Sequence, residues 1–262
     1  MNLNKQINAV LTIAYRDFTK FTRDRGRIVA TFIFPFVFIG ILGGSLQANL
    51  SENVGYSFLT FVFIGVLAQT LFQSTASGII SLIEDRENDF SQEIFVSPIS
   101  RYTIIIGKIL GESLVAMVQA IGIIIFGFIL QIPLSFWQLI LFIPAFIIIC
   151  LFGGAFGVMV LSNLKSQRTA NQVFPFIILP QFFVSGVFSP ITHLPLPLFI
   201  LSRIAPMTYA VDLLRNVYYA GSPEYSKVVL YPLHVDLAVI SVFFLVCLII
   251  GTYLFVGNER NR

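Results

Sequence analysis

Side chains able to do chemistry are sparse in this sequence and rarely stand together. A P-loop needs Gly-x-x-x-x-Gly-Lys-Ser/Thr, because its backbone amides cradle phosphates while the hydroxyl reaches Mg²⁺. The one Gly-Lys pair, Gly107-Lys108, has Tyr102 in place of the first glycine and Ile109 in place of the hydroxyl residue. There is no His-Glu-x-x-His, and His193 and His234 stand apart, as surface histidines rather than ligands or bases. Cys150 and Cys247 fall inside apolar runs, without ligand or redox spacing. Asp212 and Arg215, at i and i+3, are expected to form an ion pair that pins a short helix.

Charge gathers instead in one stretch, EDRENDFSQEIFVSPISRYTIIIGKILG, where Glu84, Asp85, Arg86, Glu87, Asp89, Glu93 and Arg101 separate two long apolar runs. At roughly 2.5 to 3.5 kcal/mol per charge at a bilayer centre, this cluster must lie in water. Phe90, Ile94 and Phe95 recur at helical spacing among polar residues, and Pro98 stops the pattern, so a short amphipathic helix is expected. Such a helix between two spans has the form of a docking surface, although a solvated loop has the same composition.

The elements around it are membrane spans. Hydrophobic residues make up 56% of the chain and charged residues 11%, and mean hydropathy is +0.88, which excludes a soluble globular domain. The net charge of +3 carries no nucleic-acid motif, so no nucleic-acid partner is expected. Residues 1–27 repeat Leu3, Ile7, Val10, Leu11, Ala14, Phe18 and Phe21 at three and four, opposite Arg16, Lys20, Arg23 and Arg27, the pattern of an interfacial helix. Spans follow at about 28–46, kinked near Pro35, then 58–83, 104–130, 137–161, 173–188 and 235–256. The first is too long, and its basic region too extended, for a signal peptide.

Within these spans Gln69, Gln73 and Ser77 form a polar stripe, which serves either helix packing or a substrate path. Lys108 and Glu112, at i and i+4, are expected to snorkel to the interface. The fifth span is interrupted by Pro175 and Pro180, and residues 189–234 hold apolar pieces too short to cross about 30 Å of hydrocarbon, so they read as outer half-helices. Lys and Arg concentrate before the first span, around 84–103, near Lys165 and Arg168, and at the C-terminus, which places both termini in the cytoplasm.

Two blocks carry a family resemblance. DRENDFSQEIFVSPISRYTIIIGKIL is similar to the signature of the type-2 permease family of ABC exporters, with an acidic helix after span two, a Ser-Pro-x-Ser-Arg turn and a Gly-Lys leading into span three. FVSGVFSPITHLPLPLFILSRIAPMTYAVDLLR resembles the same family's outer block. It has Ser185, Gly186 and Pro190 at the end of span five, then Pro206, Thr208, Tyr209, Ala210, Asp212 and Arg215 on a half-helix. The family usually has a glycine two residues after the Arg-Glu pair, where this chain has Asp89, so the helix break expected there is not written in the sequence.

The resemblance implies a single all-α type-2 transmembrane domain over 1–262, with six transmembrane helices, an interfacial helix at 1–27, a coupling helix at 84–103 and outer half-helices at 189–234. It implies a permease subunit that works as a homodimer among membrane lipids and is driven by a separate ABC ATPase. ATP and Mg²⁺ belong to that partner, and this chain holds no cofactor. Coupling to the ATPase is expected at Glu84, Arg86, Glu87, Glu93, Phe95, Pro98 and Arg101, with Gln69, Gln73, Gln181, Phe182 and Phe183 along the substrate path. Ser185, Gly186, Pro190, Pro206, Tyr209, Asp212 and Arg215 are expected to form an outer gate. The basic run Arg23 to Arg27 and the Ser97-Pro98-Ile99-Ser100-Arg101 turn resemble the drug-exporter branch more than the polysaccharide branch. Export of lipo-oligosaccharide or lipid-linked polysaccharide is the alternative cargo. A multi-pass enzyme acting on lipids should show acidic, His or Cys clusters at one depth, and an ion-driven carrier should show inverted repeats or buried ionisable residues; neither is expected from the sequence.

Overall fold

A computed structural model describes residues 3–87, 100–161, 164, 166–191 and 194–260, and these are helical with no strands among them. Helix α1, Leu3–Arg23, buries Ile13, Ala14 and Phe21. That face lies on Gly107 and Gly111 of α6, Arg101–Ile129, where an added Cβ would come within 3.0 Å of Ile13 and 3.1 Å of the Ala14 backbone. Ile7, Leu11 and Tyr15 remain exposed on its other side. Asp24 then breaks the helix and accepts from the Arg27 amide at 2.9 Å, starting α2, Arg25–Val37.

The first span carries Pro35 inside α2, and its hydrogen-bond ladder changes soon after. Proline withdraws one backbone donor from the helical ladder, and the chain passes into a π-helical segment, Phe38–Gly43, before α3, Gly44–Val54. Gly55, at φ 71°, ends α3 in a conformation that suits glycine.

Helix α4, Phe58–Gly78, is capped by Ser57 and continues after Ile79 as α5, Ile80–Glu87. It is the axis of the bundle, with 83% of its apolar window buried. Helix α7, Phe136–Leu161, packs against it through Gly153 and Gly157. A Cβ on either would sit 2.3 Å from the Phe72 carbonyl oxygen or 2.4 Å from that of Ala76, so the two backbones touch.

Among the described residues five helices are long and apolar enough to cross a membrane, Arg25–Asn49, Phe58–Asp85, Arg101–Ile129, Phe136–Leu161 and Tyr225–Leu254. The expected fifth span is α8, Gln167–Val184, shorter and carrying both prolines. At 1.5 Å per residue it still reaches roughly 27 Å. Its two ends are tied to other elements: the Gln167 amide donates to Glu87 at one end, and Gln181 accepts from the Met207 amide near the other. Helices α9, Leu196–Ile204, and α10, Pro206–Tyr218, meet at 80°. The short α11, Tyr225–Val228, and the final α12, Leu233–Arg260, complete the chain.

Candidate functional site

Polar groups gather at both ends of α4–α5. At the Glu87 end the Lys108 ammonium is fully buried, lying 2.7 Å from Asp85 Oδ2 and 3.0 Å from Asp17 Oδ2, and donating to Ser81 Oγ at 3.0 Å. Arg16 donates to Asp85 at 2.5 Å and to Asp17 at 2.8 Å, while Lys20 lies 3.7 Å from Asp85. Burial lowers the Arg16 pKa, but the Asp17 and Asp85 carboxylates outweigh it and hold the guanidinium above its ordinary value. One buried cation is thus shared by carboxylates from α1 and α5, which fastens both to α6.

Lys108 and Glu112 therefore do not snorkel. Glu112 is buried against Gly78, and its nearest cation is Arg27 at 3.6 Å. The apolar packing of α1 on α6 covers the route to water that a snorkelling lysine would use.

Of the expected coupling residues, Glu84 is half-buried on α5, Glu87 is exposed, and Arg101 begins α6. Arg86 lies in α5. Glu93, Phe95 and Pro98, with the helix expected around them, lie outside the described residues, as does His193.

Beside Arg27 a cavity of about 300 Å³ opens between α2, α4 and α6, lined by Thr31, Phe34, Thr70, Gln73, Ser77 and Gln119 among others. Gln73 and Ser77 thus face it, whereas Gln69 is enclosed behind them and donates to Gln73 at 3.1 Å. Gln181 serves instead to hold the start of α10, Phe182 packs on Phe34, and Phe183 points outward, 64% exposed. The expected path residues do not share one surface.

At the other end, α10 is folded back onto α9 by side chains around the 80° bend. Thr208 donates to the Ser202 carbonyl at 2.7 Å, and Tyr209 to that of Arg203 at 2.8 Å. Pro206 occupies the first turn, where a missing amide costs nothing. Ser185 is buried beside Gly186, which stands at φ 79°, and Pro190 is half-buried.

The expected Asp212–Arg215 ion pair does not form. Arg215 donates to the Gly186 carbonyl at 2.6 Å and lies 3.6 Å over the Phe61 ring. Asp212 accepts from the amides of Leu230 and Tyr231 at 2.9 and 2.8 Å. Each side chain ties α10 to a different neighbour, because both find partners close at hand that satisfy them without turning toward each other.

These arrangements sit in a chain whose residues 8–219 match the family model described as ABC-2 type transporter. The chain belongs to that family. It is 24% identical over 229 residues to the transport permease ycf38 of Cyanophora paradoxa, covering 84% of this chain and 78% of that protein. A second ycf38, from Porphyra purpurea, is 24% identical over 222 residues, or 81% and 74%. The multidrug ABC transporter permease YbhR of Escherichia coli K12 is 30% identical over 141 residues, covering 53% of this chain and 38% of YbhR. The protein is thus a multi-pass membrane protein of a family of transport permease subunits, and membership implies an ABC ATPase as partner.

Sequence reasoning missed Asp17, which does more at the Glu87 end than the acidic loop residues within view. Its signal was present: Asp17 shares the three-and-four spacing of Val10, Ala14 and Phe21, so it had to be buried and paired. Asn216 and Asp236 carried no comparable signal.

Proposed function

We propose that this chain is the permease subunit of an ATP-driven exporter, assembled as a homodimer with two copies of an ABC ATPase that bind ATP and Mg²⁺. The ATPase docks on 84–103 and on α1, both cytoplasmic together with the termini. The observation that carries this reading is the buried Lys108, which joins α1, α5 and α6 through Asp17 and Asp85. A push on the loop after α5 is thereby delivered to the axis of the bundle rather than absorbed by a loose helix. Closure of the ATPases on ATP would tilt α4–α5 and α8, which are joined at the Glu87–Gln167 hydrogen bond, and expose the cavity outward.

The cargo in this reading is hydrophobic or amphipathic and drug-like. The cavity beside Gln73 and Ser77 offers hydroxyls and amides beside Phe34, a mixed lining suited to such molecules. The similarity to a multidrug permease over part of the chain points the same way.

The test is charge reversal of the docking surface. Glu87→Lys with Glu93→Lys should abolish co-purification of the cognate ATPase and cargo-stimulated ATP hydrolysis in proteoliposomes, while the permease remains folded. Glu87→Gln controls for loss of charge at the Gln167 contact. Normal export and ATPase retention in the double variant would show that docking lies elsewhere.

A further inference from the structure

Asp212 and Asp236 come from α10 and α12, are both wholly buried, and meet at Asn216, whose Nδ2 reaches the Asp212 carbonyl at 3.3 Å as well as the Asp236 carboxyl. Asp236 Oδ2 accepts from Asn216 Nδ2 at 2.7 Å, while Oδ1 has no partner. Among the described residues neither carboxyl forms an ion pair. Arg215 is directed to Gly186 and Phe61, and Arg203 lies over the rings of Phe199 and Tyr231. The neighbouring phenols are engaged as donors, Tyr225 to Asn216 Oδ1 and Tyr209 to the Arg203 carbonyl. Lys227 directs its tip at Gly55, and His234 is exposed.

Two carboxylates buried at one polar site without an ion-pair partner repel each other if both are ionised, and the arrangement is relieved by one shared proton. We propose that Asp212 and Asp236 form a proton-binding site, in which Asp236 donates a hydrogen bond to Asp212 and so latches the segment 219–232 onto α10. Three links converge there. Asp212 holds the amides of Leu230 and Tyr231, Asn216 donates to the Tyr231 carbonyl at 2.9 Å, and Tyr225 closes the loop onto Asn216. Lifting the segment admits water to both carboxyls and releases the proton. The latched form is therefore favoured at low pH and weakened as pH rises.

Hydrogen exchange of the Leu230 and Tyr231 amides tests the latch in nanodisc-embedded protein from neutral to alkaline pH. If opening releases one proton, the opening equilibrium, corrected for the chemical exchange rate, grows about tenfold per pH unit. Asp236→Asn keeps a donor toward Asp212 without a titrating proton, so its opening should be independent of pH. An equal slope in this variant overturns the proposal. Infrared titration of the wild-type protein supplies a reading that needs no variant to fold. A buried carboxylic acid C=O stretch should disappear over the same pH range in which the amides lose protection, and its absence, or loss in a different range, overturns the proposal as well.

Discussion

Lys108 on α6 lies 2.7 Å from Asp85 at the end of the bundle's axis and 3.0 Å from Asp17 on α1, with almost no access to water. Removing this buried ammonium leaves the partly exposed Arg16 as the cation that Asp17 and Asp85 share, and strips both carboxylates of their inner partner. Lys108→Met should cost about 3 to 5 kcal/mol, seen as a lowered unfolding midpoint in detergent and faster proteolysis of residues 3–23. Adding Asp17→Asn and Asp85→Asn should recover part of the loss. An unchanged midpoint in the single variant would mean that the three charges contribute nothing to holding α1.

The contact between α4 and α7 makes a second prediction. Gly153→Ala and Gly157→Ala each drive a methyl into a backbone carbonyl, which no rotamer change can relieve. Each should destabilise by about 1 to 3 kcal/mol. Gly44→Ala is the control, since a Cβ there meets nothing within 4 Å and the residue is already helical. If all three variants unfold at the wild-type temperature, the close approach is not required.

How much of this was legible in the sequence depends on which interactions are local. The spans were readable because a long apolar run has few alternatives, and an altered ladder near Pro35 because proline removes a donor wherever it stands. Asp212 and Arg215 misled because spacing along one helix says which side chains are neighbours, not which partners they prefer. The carbonyl of Gly186 and the amides of Leu230 and Tyr231 become available only once distant segments have folded. Lys108 misled for the same reason, as the helix that covers it lies far earlier in the chain.

The polar stripe of α4 divides into accessible and enclosed positions. With Cys150 and Cys247 replaced by alanine, cysteines at positions 73 and 77 should react with a small water-soluble maleimide, and cargo should slow the reaction. A cysteine at 69, which is wholly buried, should not react. Equal labelling at all three positions would show that the cavity beside Arg27 does not define the accessible face.

The outer block gives the most direct test of the geometry. Asp212 and Arg215 share no hydrogen-bond partner, since one holds the segment at 230–231 and the other holds Gly186 and Phe61. Asp212→Ala strands the two amides it satisfied, and Arg215→Ala strands a buried carbonyl, so each should destabilise the protein independently. Their double-mutant cycle should give a coupling energy below about 1 kcal/mol, whereas a buried ion pair would leave the double variant less damaged than the two singles imply. The cycle is read from unfolding of the purified variants and from export, with assembly checked in each. The Asp212–Asp236 cycle supplies the contrast, because those carboxyls share a hydrogen bond in the proposed latch and removing both also removes their repulsion. A large coupling for Asp212–Arg215 with none for Asp212–Asp236 would reverse the assignment of partners at this end of the bundle.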